Sequence, residues 1–171
     1  MKNPLFPDLE FDNAYSIPFE KLYEDGIRGV IFDIDNTLVR HGAPADERSA
    51  DLMERLRQIG LTVCLISNNH EERVRPFAEK VGTAYTYDAA KPLKKGYLAA
   101  MKEMGTDAAN TVFVGDQIFT DTLGANLTGV RSILVTPIFL DPDPWIRIKR
   151  RMERVVLHFY HKKCTHQKTQ N

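Results

Sequence analysis

Five short apolar runs punctuate the middle of the chain, at residues 29–32, 61–66, 84–87, 111–114 and 132–135. Each is bounded by turn-forming residues, the pattern of strands buried on both faces. Between them the apolar positions move to helical spacing. Asp46 caps a helix to about Ile59, with Leu52, Met53, Leu56 and Ile59 on one face and Gly60 as its stop. Asn69 caps a second that runs towards Gly82, and Pro92 fits the first turn of a third that carries Tyr97, Leu98 and Met101 and stops at Gly105. A fourth runs from about Thr120 to Gly129. The alternation predicts an α/β fold: a Rossmann-like, doubly wound parallel sheet with right-handed crossovers. Residues 1–26, rich in Pro and acidic residues, predict a lead-in arm with one short helical piece near residues 19–24.

In such sheets ligands bind beyond the carboxyl ends of the strands. Three predicted strands end in polar residues: Asp33, Ser67 and Gly115-Asp116. The first opens Asp33-Ile34-Asp35-Asn36-Thr37; the second continues as Asn68-Asn69; the last continues to Thr120-Asp121. Lys91-Pro92 precedes the fourth strand. Phosphate monoester hydrolysis asks for such a set. The uncatalysed reaction is slow enough that enzymes approach accelerations of about 10²¹-fold. A carboxylate nucleophile divides the reaction into two steps, and a second carboxyl group protonates the leaving oxygen and later deprotonates water. A hard cation offsets the repulsion between carboxylate and phosphate, and hydrogen-bond donors hold the phosphoryl oxygens. Gly115 suits a tight strand-to-loop turn, and His41 and His70 read as solvated surface residues.

The four motifs, in this order over residues 27–137, resemble the haloacid dehalogenase (HAD) superfamily of phosphohydrolases. The resemblance implies that Asp33 is the nucleophile and a metal ligand. It implies that Asp35 is the general acid/base with its main-chain carbonyl on the metal, and that Thr37 supports the turn. Ser67 and Asn68 would contact the phosphoryl group, and Lys91 would neutralise it and orient Asp33. Asp116 would bind Mg²⁺ directly, and Asp121 would bind it through water or hold Lys91. Dehalogenases and P-type pumps of the superfamily lack the second Asp, so Asp35 points to a phosphatase. About eight residues separate Thr37 from Asp46, and 24 positions separate Ser67 from Lys91, so neither gap holds a cap domain. A capless site encloses a small metabolite poorly and suits a phosphate presented on something large.

Composition adds one feature. The chain of 171 residues, 43% hydrophobic and 27% charged, is that of a folded domain, with no apolar run of bilayer length. No secretory signal is legible, and two unpatterned cysteines predict a reducing cytoplasm, with Cys64 a core residue. The net charge of zero is unevenly distributed. Residues 144–171 hold eight of the 23 Lys and Arg but one of the 23 Asp and Glu, a net +7 against −7 for the rest. The expected division is a domain over 1–143 and a basic amphipathic helix with polar tail over 144–171. On that helix Trp145, Ile148, Met152, Val156 and Phe159 form an apolar stripe, with Arg147, Arg150, Arg151, Arg154, His158 and His161 opposite. The stripe suits an anionic membrane surface, reached from the inner face, or packing on the sheet or a second subunit. Nucleic acid is a third reading.

The whole chain, from its Pro-rich lead-in through F-D-I-D-N-T-L, S-N-N, K-P and G-D-Q-I-F-T-D, resembles the subfamily IIIA, YqeG-type proteins, a group similar to phosphatidylglycerophosphate phosphatases. The implied substrate is an anionic lipid headgroup. The alternatives are a general phosphatase for soluble nucleotide or sugar phosphates, or a phosphate-sensing interaction protein at membrane or ribosome. Oligomeric state is not legible.

Overall fold

The computed structural model of the chain describes residues 3–139 and 144–168. Six strands, β1 (Leu9–Phe11), β2 (Gly29–Phe32), β3 (Thr62–Ile66), β4 (Ala84–Thr86), β5 (Thr111–Gly115) and β6 (Arg131–Val135), form one sheet in the order β1-β6-β5-β2-β3-β4. All neighbours are parallel. Helices α1 (Phe19–Glu24), α2 (Glu47–Ile59) and α3 (Glu71–Val81) cover one face; α4 (Lys94–Met104) and α5 (Leu123–Thr128) cover the other. Strand side chains alternate between the two layers. Val30, Phe32, Val112 and Val114 pack under the first group, while Ile31, Cys64 and Phe113 pack against Tyr97, Ala100 and Met101 of α4. All four residues of β2 are therefore buried, which is why it reads as a continuous apolar run.

The winding places the site. From β2 the chain proceeds outward through β3 to β4, then α4 returns it to β5 on the other side of β2. The direction reverses between β2 and β5, and the crevice beyond their carboxyl ends is the ligand position of this architecture.

The structure corrects several expectations. The sheet has a sixth strand, because β1, inside the Pro-rich arm, pairs with β6 through Leu9↔Ile133. Three residues carry too little pattern to announce a strand. The α3 N-cap is His70, not Asn69, whose side chain turns into the site. Pro92 lies ahead of α4, after a cis Lys91–Pro92 bond, so it is not in the first turn. The fourth helix is split into a π-helical turn, Ile118–Thr122, and α5.

The last helix, α6 (Pro144–Lys168), differs most from expectation. Its apolar stripe does not pack on the domain: Trp145 is 79% exposed and Phe159 58%, with Ile148, Met152 and Val155 between. Val156, expected on that stripe, is half-buried, and Val155 takes its place. The inward face is polar, led by Arg150 and a buried Glu153. The N-terminal arm meets α6 further along, with Phe6 against Tyr160 and Glu10 bonded to His161 at 2.7 Å. Among the described residues no helix is long and apolar enough to cross a membrane.

Candidate active site

Asp33 follows β2 directly, and its main-chain N–H donates to Val114 of β5, fixing it at the switch point. The following turn needs a left-handed residue, and Asn36 supplies it at φ 62°. Asp116 follows β5. Asp121 lies in the π-helical turn, a local widening that returns its carboxylate over the strand end. Gly115 is required there: a Cβ would overlap the Asp121 carboxylate. Asp33, Asp116 and Asp121 are all buried, and each offers an oxygen within 4.8 Å of the others.

Lys91 is nearly sealed from solvent, and its Nζ donates to Asp33 Oδ1 at 2.7 Å and Asp121 Oδ1 at 2.8 Å. Burial alone would lower its pKa; Asp121 and Asp33 outweigh that and hold it above the ordinary range. Burial pushes the Asp33 carboxyl up to about 7 despite the attraction of Lys91, and Asp121 and Asp116 add to the rise. Burial likewise raises Asp116 to about 6, with Arg150 pulling the other way. Three buried carboxylates held near one another with only partial neutralisation are a chemical fit for a hard divalent cation.

The other predicted residues divide. Thr37 Oγ1 reaches Asp116 Oδ1 at 3.4 Å, and Ser67 Oγ accepts from the Asn69 N–H at 3.1 Å. Asn68 accepts from the Lys91 N at 2.7 Å and donates one of its two amide N–H groups to the Lys91 O at 3.3 Å, so it positions Lys91 and keeps its second donor. Asp35 contributes no carboxylate to the cluster. Oδ1 accepts from Gly42 N at 2.7 Å and Arg73 at 2.8 Å, and Oδ2 from Asn69 at 2.6 Å. His41 and His70 are exposed, and His70 pairs with Asp88.

Arg150 is a correction. Expected at a membrane or partner, its guanidinium bonds the Asp116 carboxylate instead, and donates to Asp116 O at 2.6 Å. Glu153 holds it at 2.9 Å and accepts from the Ile118 N–H with its other oxygen. Of the tail residues expected at a membrane or partner, Trp145, Arg147, Arg151 and Arg154 are exposed. Arg73, Arg150 and Glu153 are the site residues that the sequence reading missed.

A carboxylate cluster at the switch point of a parallel sheet, bridged by one lysine, defines a hydrolase centre of a known kind. The haloacid dehalogenase-like hydrolase family matches over residues 41–129, and this chain belongs to it. It is 37% identical to the Bacillus subtilis protein named Probable phosphatase YqeG, over 92% of each chain. Identity to Phosphatidylglycerophosphate phosphatase 1, chloroplastic/mitochondrial, of Arabidopsis thaliana is 24%, over 90% of this chain and 47% of that one. The cobalt-bound deoxy-D-mannose-octulosonate 8-phosphate phosphatase (YrbI) of Haemophilus influenzae superposes with a TM-score of 0.54 at 18% identity, over 83% of this chain and 92% of that one, a likeness of fold.

Proposed function

We propose that the protein is a magnesium-dependent phosphatase that converts phosphatidylglycerophosphate to phosphatidylglycerol through an aspartyl phosphate on Asp33. The observation that carries the phosphatase reading is the buried Asp33–Lys91–Asp121 bridge beside Asp116. Asp33 attacks phosphorus and the ester oxygen departs, leaving an acyl phosphate that water then hydrolyses. Lys91 fixes the attacking oxygen and sets a positive charge beside the phosphoryl group. Asp35 protonates the leaving oxygen and then takes the proton of the attacking water. Gly42 and Arg73 occupy its Oδ1, whereas among the described residues Oδ2 accepts from Asn69 alone and so has a lone pair for the proton. Ser67 binds a phosphoryl oxygen. Asp33, Asp116, Asp121 and the Asp35 carbonyl would hold Mg²⁺, which supplies charge neutralisation when bound.

The lipid assignment is supported by the plant relative named above and by α6. An outward apolar stripe bordered by Arg147, Arg151 and Arg154 suits a helix lying on an anionic bilayer, at the inner face of the membrane of a cytoplasmic enzyme. The domain over 1–143 would carry the chemistry and residues 144–171 the surface contact.

The test is phosphate release from phosphatidylglycerophosphate in mixed micelles with Mg²⁺, beside a panel of soluble nucleotide and sugar phosphates. Lipid activity lost by about a thousandfold or more in Asp33→Asn is the expected result. Activity confined to soluble phosphates would retain the mechanism and remove the lipid. Binding of phosphate analogues without turnover would make the protein a sensor.

A further inference from the structure

The polar inward face of α6 does not close tightly on the domain. Between α6 and the β1–β6 edge lies a groove of about 910 Å³ that starts at Asp116 and runs outward. That volume is within the range of ligand sites, about 300–1,000 Å³. Phe11, Leu134 and Leu157 give it an apolar lining, and Arg147, Arg151 and Arg154 stand along one flank of the helix above it. The spacing i, i+4, i+7 stacks these three on one side. Among the described residues none of their guanidinium groups has an ion-pair partner. Three of the four acidic residues lining it are already engaged, Glu10 by His161 and both Asp116 and Glu153 by Arg150, which leaves Asp12 against three arginines.

The groove therefore joins three properties: an end at the reaction centre, an apolar lining and a surplus of bidentate cationic donors. A soluble sugar phosphate uses the first alone. A phospholipid that carries a terminal phosphomonoester and an internal phosphodiester uses all three, because guanidinium matches the diester oxygens and the apolar lining takes the glycerol and first acyl carbons. We infer that this groove is the subsite that reads the diester phosphate and adjoining apolar part of such a lipid, with Arg151 and Arg154 as its specificity-determining residues; the inference rests on the lipid reading above. With no cap among the described residues, α6 supplies the second wall.

The experiment uses dihexanoyl lipids below their micellar concentration, so that no membrane surface contributes. Wild type and Arg151→Gln/Arg154→Gln are compared on dihexanoyl phosphatidylglycerophosphate and p-nitrophenyl phosphate. Calorimetric binding of dihexanoyl phosphatidylglycerol, which keeps the diester and lacks the monoester, is measured in parallel. Both arginines are exposed, and circular dichroism checks that the double variant is folded. The expected result is a tenfold or larger fall in the lipid-to-aryl ratio of kcat/KM, carried by KM, with phosphatidylglycerol binding weakened by a similar factor. An unchanged ratio overturns the groove and leaves the lipid phosphatase standing. Wild type active on the aryl phosphate and inert on the lipid overturns both. Wild type that turns over the lipid but binds no phosphatidylglycerol at millimolar concentration overturns the groove alone.

Discussion

One ammonium group stands between two buried carboxylates, and neither carboxylate is solvated well enough to tolerate its loss. Lys91→Met leaves uncompensated buried charge, a defect that costs about 3–5 kcal/mol, read by urea denaturation near neutral pH. The loss shrinks in mild acid, where Asp33 takes up a proton. The sign for Asp33 itself follows from its pKa. About 7 in the folded protein against the ordinary 3.8 means that the folded state holds a proton which the unfolded chain releases. That contribution is complete below 3.8 and is lost as pH rises through about 7. In metal-free protein the melting temperature of Asp33→Asn, measured against wild type, should therefore climb across this window; a flat difference would contradict the raised pKa. Asp33, Ser67 and Asp116 were legible because each directly follows an apolar strand, and Asp35 because it lies in the motif that Asp33 opens. Arg73 and Arg150 were not. Each lies in a helix among several charged neighbours, and which arginine turns inward is decided by the docking of the helix, which no local pattern records.

Element by element, α4 does more than cover the sheet. Tyr97 crosses the layer to donate to Thr120 O at 2.9 Å, with Asp121 O at 3.3 Å, and so fastens the π-helical turn that carries Asp121. Gly124 makes room for it, since a Cβ there would overlap the phenol. Tyr97→Phe should cost about 1 kcal/mol by chemical denaturation. It should also weaken Mg²⁺ binding measured by calorimetry, because Asp121 loses its support; unchanged metal affinity would show that the turn stands alone. Most boundaries were readable from caps and stops. Asp46 caps α2, and Gly60, Gly82, Gly105 and Gly129 end four helices with positive φ. The face of α6 was not readable. An amphipathic helix normally buries its apolar side. This one docks on the strand ends through Arg150 and Glu153, which find polar partners there in Asp116 and the Ile118 N–H.

At the scale of the whole molecule, charge is separated: the last helix is basic and the rest acidic. The single tryptophan, Trp145, sits at the start of the exposed stripe and so reports on that surface. Its emission should shift to the blue with vesicles containing phosphatidylglycerol at low ionic strength, and return in high salt as the attraction is screened. The same shift with purely zwitterionic vesicles would mean that the basic residues contribute nothing. The edge strand has a different consequence, for the order in which the molecule is made. β1 leaves the ribosome ahead of the other described strands, yet its sheet partner β6 lies 124 positions later, as the Asp8–Ser132 bond records. Until that partner emerges β1 lacks its neighbour in the sheet, so the catalytic crevice between β2 and β5 can assemble before the sheet is complete. The arm then closes over an edge that would otherwise invite another chain, and through Phe6 and Glu10 it fastens the final helix in the same movement. The arm and α6 are thus secured together, and the wall over Asp116 is finished only after β6 has been made.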